Sequence, residues 1–403
     1  MGLLFQNDFH DGFGSWALGY IPYGGADFGE VRAVALAVGD GDDGAFYAAW
    51  VAAGDRLADE AEVALARGHR ASARALFLRA ANFYAAAYHP LYGVPVDPRL
   101  IAAFRKQIAA FDKALALSEP EIRPLRIPFG DASMPAYLLP ARGRADETRP
   151  LLILNNGYDA TITDLYFASA VAATERGYHC LIFDGPGQGA MLYEQGIPLR
   201  PDWETVINTV VDFAVTWPIV DPARIALSGW SLGGYLAPRG ASGEPRIAAL
   251  IADPALPSMA DPFRGLAIRF GASNEAAANL GELDQTVLER LEQFIDGDRR
   301  MRWSIKQRAF WVHGVDNLRD YLRQAEFYTM RGRLDRIRCP TLLTQAENDR
   351  LATAAPAFFD GLTCPKTLLR FTAAEGAGDH CEMMNRSLLN QRVLDWLDEV
   401  FPA

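Results

Sequence analysis

The chain has little that would fix its fold or chemistry through cross-links, metal or positive charge. Its 403 residues include only four cysteines, Cys180, Cys339, Cys364 and Cys381. None form a C-x-x-C pair or stand at metal-ligand spacing, which argues against a zinc site. Cys180 and Cys339 sit at or beside apolar, strand-like runs and read as buried thiols. Lys and Arg number 39 against 50 Asp and Glu, a formal net charge of −11. That sign argues against nucleic acid and anionic membrane surfaces as partners. No apolar run approaches the ~20 residues of a membrane span, and the first residues show no basic segment leading into an apolar one. A cytoplasmic protein is the expectation. No H-E-x-x-H occurs. The glycine-rich Asp184-Gly-Pro-Gly-Gln-Gly189 lacks both a following G-K-[ST] and the dinucleotide spacing. It reads as a tight turn bordering the mouth of a site, and no metal or cofactor is expected.

Half of the residues are hydrophobic and 22% are charged, an ordinary globular balance with ample core. The length suits one large domain and a smaller one. Residues 1–122 read as a helical domain. After an irregular start containing Tyr20-Ile-Pro-Tyr-Gly-Gly25, one apolar stripe runs through Phe46, Trp50, Leu57, Ala61 and Leu65 and stops at Gly68. A second runs through Leu76, Ala80, Phe83 and Ala87, and a third through Ile101, Phe104, Ile108, Phe111 and Leu115. The first two resemble a tetratricopeptide hairpin, but one hairpin is not an array. From residue 123 to 403 the pattern is β/α. Leu125–Phe129 and Pro135–Leu139 suggest a hairpin. Leu151–Asn155, Tyr178–Phe183, Arg224–Leu227, Ile247–Ile251, Thr341–Thr344 and Thr367–Phe371 suggest further strands, with helices between them. That alternation implies a mostly parallel sheet with helices on both faces. Between about 254 and 338 it gives way to a helical, aromatic-rich insertion, expected to cap the carboxyl edge of the sheet and exclude water.

The chemistry centres on Gly229-Trp230-Ser231-Leu232-Gly233. This G-x-S-x-G stretch follows an apolar run and precedes a helix, the setting in which a sharp turn lifts a serine hydroxyl clear of the sheet. A serine needs a general base, and the base needs an orienting acid. Of six histidines, His380 lies after the last strand and before the last helix, where the order Ser…Asp/Glu…His places the base. His313, in the insertion, is the rival, or else lines the pocket or is structural. The loop Thr344-Gln-Ala-Glu-Asn-Asp-Arg-Leu351 should carry the acid: Asp349, with Glu347 as the alternative. The Leu232 and Tyr158 N–H groups are the expected oxyanion donors, Tyr158 following the glycine of Asn155-Asn-Gly157. Candidate substrate contacts are Asp159, Trp230, Trp303, Trp311 and His313.

These residues resemble the α/β-hydrolase superfamily over residues 123–403. A narrower likeness spans nearly the whole chain. Pro22-Tyr-Gly-Gly-Ala-Asp-Phe28, Asn156-Gly-Tyr-Asp159, Phe183-Asp-Gly-Pro-Gly-Gln-Gly189 and Ser231-Leu-Gly-Gly-Tyr-Leu-Ala-Pro-Arg239 are similar to the subgroup of 2,6-dihydroxypseudooxynicotine hydrolase, fungal polyketide-shortening hydrolases and FrsA-like esterases. The resemblance implies an α/β-hydrolase fold with an N-terminal helical domain and a helical cap, often dimeric, its N-terminal helices contributing to a deep pocket. It also implies an additional acidic residue in the cap, for which Asp253 and Asp261 are loose candidates. The expected activity is cleavage of a small, largely apolar carbonyl substrate, at an ester, an amide or a C–C bond next to a ketone. The alternative is a cyclase or lyase working in the same pocket.

Overall fold

The computed structural model describes residues 2–402. The three apolar stripes of the N-terminal part form helices Asp43–Ala66, Arg70–Ala87 and Pro98–Ala116. Phe46, Trp50, Leu57 and Ala61 share the buried side of the first. The Asp42 and Asp97 side chains cap the first and third by accepting N–H bonds from Ala45 and Arg99, which satisfies donors that a helix start leaves open. The stretch before them, expected to be irregular, instead carries helices Asp8–Gly14, Trp16–Gly19 and Phe28–Val38. Two of these are too short to show a period. Side-chain caps from Asn7 and Asp27 help to hold Asp8–Gly14 and Phe28–Val38.

The remainder is built on eight strands: β1 (Leu125–Phe129), β2 (Ala132–Leu139), β3 (Arg149–Asn155), β4 (His179–Phe183), β5 (Val220–Trp230), β6 (Ile247–Asp253), β7 (Thr341–Ala346) and β8 (Lys366–Phe371). They form one sheet in the order β1-β2-β4-β3-β5-β6-β7-β8. Strand β2 pairs antiparallel with β1 and β4, and every other pairing is parallel. Strand β2 starts earlier than the sequence suggests, which leaves Gly130 (φ +58°) and Asp131 as a two-residue turn.

Side-chain alternation divides the core. Leu152 and Leu154 of β3 pack with the N-terminal helices, while Leu151 and Ile153 face Trp203, Ile207 and Tyr235 on the other side. The chain passes from β3 outward to β4, then returns across β3 to β5. That reversal makes the carboxyl ends of β3 and β5 a topological switch point, the place where open α/β sheets leave a ligand crevice. Asn155 and Gly229 are register partners there.

Between β6 and β7 lie the cap helices, including Asp261–Arg269, Gln285–Asp296 and Leu318–Ala325. Leu280, Leu288, Leu291, Ile295 and Leu322 give the cap a core of its own. The segment Trp303–Ala309 is π-helical, and a π-helical turn also interrupts the helix after β3 at Tyr166–Ala170. No described helix is long and apolar enough to cross a membrane.

Candidate active site

Ser231 stands between β5 and helix Gly233–Ala241 with φ +59°, a left-handed conformation that a serine adopts only when its surroundings force it. Two features force it. Its N–H donates to the Asp253 carbonyl at the end of β6 (2.7 Å), and the chain folds back on itself so closely that a Cβ on Gly229 would lie 1.9 Å from the Gly233 carbonyl oxygen. The loop after β3 closes on the same turn. A Cβ on Gly157 would come within 2.8 Å of the Leu232 nitrogen, the Ser231 Cβ and the Trp230 oxygen. Neither the Leu232 nor the Tyr158 N–H has an acceptor among the described residues.

His380 reaches this turn from the loop after β8. Its Nε2 lies 2.9 Å from Ser231 Oγ and its Nδ1 lies 2.7 Å from Asp349 Oδ2. Asp349 Oδ1 accepts the Leu351 N–H (2.9 Å), so both carboxylate oxygens are engaged. Glu347, the alternative acid, turns away and accepts the Ala373 N–H (2.7 Å). The residues after His380 are themselves strained, Cys381 at φ +54° and Glu382 at φ +49°. Cys381 Sγ is 3.4 Å from His380 Nε2. Burial raises the Cys381 thiol far above its ordinary range, with Asp253 adding to the effect. Behind it, burial and then Asp253 push the wholly buried Glu382 carboxyl well up. Asp253 itself accepts from Thr344 Oγ1 (2.8 Å) and from Arg386 (3.4 Å). Asp261 is exposed at the start of a cap helix and pairs with Arg264 (2.7 Å).

The cleft beside Ser231 and His380 is walled by Trp16, Asp159, Ala160, Trp230 and Met383 and encloses about 30 Å³. Asp159 and Trp230, two of the expected substrate contacts, line this cleft. Trp303, Trp311 and His313 do not, and the cap contributes no residue to these walls. Trp303 donates its indole N–H to the His89 carbonyl (2.9 Å) and stacks on Tyr92. Trp311 stacks on Tyr193, with centroids 5.2 Å apart. Both are used in packing the cap onto the N-terminal helices and the core. His313 approaches Tyr158 Oη to 2.5 Å. Burial lowers it to about 3, so a neutral ring shares this hydrogen bond with the phenol. The cap thus reaches the cleft through the loop after β3. Trp16, from a four-residue helix in the N-terminal part, Ala160 and Met383 are walls that carry no motif by which sequence reasoning could have chosen them.

That loop is also braced from beneath. Gln188 Nε2 donates to the Asn156 and Gly157 carbonyls (2.9 and 3.1 Å) and Asn156 Nδ2 donates to Asp184 (2.9 Å). The glycine-rich turn after β4 is therefore a buried strut for the loop that carries Tyr158. Among the described residues no group of three or more His, Cys, Asp or Glu side chains is placed to hold a metal ion.

Residues 156–388 match the alpha/beta hydrolase family. Hydrolase acrC of Aspergillus aculeatus is 33% identical, covering 94% of both chains. The 20-hydroxy-prefusarin hydrolase FUS2 of Gibberella moniliformis is also 33% identical, over 100% of this chain and 98% of its own. Among solved structures, 2,6-dihydroxy-pseudo-oxynicotine hydrolase superposes with a TM-score of 0.73 at 22% identity, over 95% of each chain. With the switch-point sheet and a serine turn between β5 and its helix, these matches show that the chain belongs to the α/β-hydrolase family and is a hydrolase.

Proposed function

We propose that the protein is a serine hydrolase acting on a small, largely apolar carbonyl compound through Ser231, His380 and Asp349. The observation that carries this reading is the unbroken relay from Asp349 Oδ2 to His380 Nδ1 (2.7 Å) and from His380 Nε2 to Ser231 Oγ (2.9 Å). Ser231 Oγ attacks the carbonyl carbon while its proton passes to His380 Nε2. Asp349 holds the Nδ1 proton and stabilises the imidazolium. The Leu232 and Tyr158 N–H groups receive the oxyanion, worth about 3 kcal/mol per donor in comparable sites. Collapse of the tetrahedral intermediate expels the leaving group, which takes the proton from His380. Water then gives a proton to His380, attacks the acyl-enzyme and releases the acid.

An alkoxide or amine leaves from an ester or amide. From a C–C bond next to a ketone the leaving group is a carbanion, which needs a second electron-withdrawing group already in the substrate. The relatives named for 20-hydroxy-prefusarin and 2,6-dihydroxy-pseudo-oxynicotine support a small organic substrate. The cleft as it stands has room for no more than a water or two, so its walls must open to admit substrate. The test is intact-mass spectrometry after treatment with a fluorophosphonate. A single adduct on wild type and none on Ser231→Ala is the expected result. An unmodified, folded wild type overturns the reading.

A further inference from the structure

Asp159 is the point where the three parts of the molecule meet. Its backbone carbonyl accepts from two residues of the N-terminal part, His89 Nε2 (3.2 Å) and Tyr92 Oη (3.0 Å). Its side chain belongs to the loop after β3, and its Oδ2 pairs with Arg308 of the cap at 2.6 Å. Arg308 lies in the π-helical turn Trp303–Ala309, its guanidinium 4.5 Å from the Tyr158 ring centroid and 5.3 Å from that of Trp303. The other oxygen, Asp159 Oδ1, is buried and has no hydrogen-bond partner among the described residues. Yet Asp159 walls the cleft that contains Ser231 and His380. A buried acceptor left open costs on the order of 1–3 kcal/mol unless something fills it. When the cleft opens to admit a substrate, a ligand or a water can fill it.

We propose that Asp159 Oδ1 receives a neutral hydroxyl, phenolic or enolic, carried by the substrate near its reacting carbonyl. Neutrality follows from Arg308. The carboxylate already has its counter-charge at 2.6 Å, so an ammonium group would gain little Coulomb attraction to offset its desolvation. A hydroxyl costs far less to desolvate than an ammonium and gains a charge-assisted hydrogen bond. The aromatic walls Trp16 and Trp230 suit the body that bears it. Arg308 acts as a positioning residue: it holds Asp159 Oδ2, leaves Oδ1 without a partner and spends its charge.

This inference rests on the hydrolase reading, and its test separates the two. The probes are the ortho, meta and para hydroxyacetophenones, each beside its methyl ether and its aminomethyl counterpart. Each is scored, up to its solubility limit, by how strongly it protects Ser231 from a fluorophosphonate. Labelling of the unprotected wild type is the check on the hydrolase reading alone. In wild type at least one hydroxy compound should protect about 10- to 100-fold more effectively than its methyl ether and its ammonium analogue. Asp159→Asn should bring hydroxyl and ether within about twofold, because Arg308 claims the amide oxygen and turns the NH2 toward the cleft. Arg308→Met leaves the carboxylate unneutralised, and preference should move toward the ammonium analogue. Equal protection by hydroxyl and ether in a wild type that labels normally, absence of protection by any of them, or a hydroxyl preference that survives Asp159→Asn overturns the proposal.

Discussion

The loops at the switch point and the aromatic seam between cap and N-terminal helices use similar raw material to opposite ends. At the switch point the backbone is strained, with Ser231, Cys381 and Glu382 all at positive φ. Donors and acceptors there are held in reserve, including the Trp230 indole N–H and Asp159 Oδ1. In the seam, Phe9, Phe13, Tyr92, Trp303 and Trp311 meet ring to ring, Trp303 Nε1 is bonded to a carbonyl, and the rings are nearly saturated by one another. Strained backbone and open polar atoms surround Ser231, whereas the rings of the seam are taken up in packing against one another. An aromatic-rich segment next to an active site is therefore no guide to what touches substrate.

Mutations on the two sides should separate cleanly. The largest effect is expected for Ser231→Ala, which should lower turnover of any substrate by about 10⁴-fold or more while thermal unfolding stays near wild type. Trp303→Ala should do the reverse. It should cost roughly 3–5 kcal/mol in urea unfolding, yet its folded fraction should label with a fluorophosphonate within about tenfold of the wild-type rate. A comparable loss in labelling would place Trp303 in the cleft after all and break the comparison. Gly157→Ala adds a methyl group that meets backbone on both sides at 2.8 Å. It should reduce kcat by roughly 10- to 100-fold, with a stability change smaller than that of Trp303→Ala.

The smallest expected effect is a slope. Burial raises the Asp184 carboxyl to about 7 from 3.8. Between those pH values the folded state keeps a proton that the unfolded state has lost, so stability falls as pH rises. The contribution is full below about 4 and gone above about 7. Asp184→Asn removes the titration. Wild type should lose stability relative to this variant between pH 5 and pH 8, by at most about 1.4 kcal/mol per pH unit and least above pH 7. A difference that does not change with pH would contradict a buried, neutral Asp184 beneath the Tyr158 loop.

The sequence exposed the parts that depend on neighbours in the chain. Short apolar runs between helices announced the parallel sheet. The glycines around Ser231 announced the turn, because a Cβ on Gly229 would fall 1.9 Å from the Gly233 oxygen. The position of His380 after the last strand announced its reach. Other features depend on contacts across long stretches of chain, and these were not legible. Arg308 meets Asp159 over a separation of 149 residues, and Gln188 supports Asn156 over 32. Trp16 sits in a four-residue helix with no period to read. For Trp303 and Trp311, which pack away from the cleft, composition shows that a segment is aromatic, not which surface consumes its rings.

The central claim is that Asp349 and His380 activate Ser231. The most direct measurement is the rate of fluorophosphonate labelling in wild type, Asp349→Asn and Glu347→Gln at a single pH. The account predicts a rate about 10³- to 10⁴-fold lower in Asp349→Asn, whose amide would favour the wrong imidazole tautomer, and a Glu347→Gln rate within about twofold of wild type. Equal rates in wild type and Asp349→Asn would contradict it.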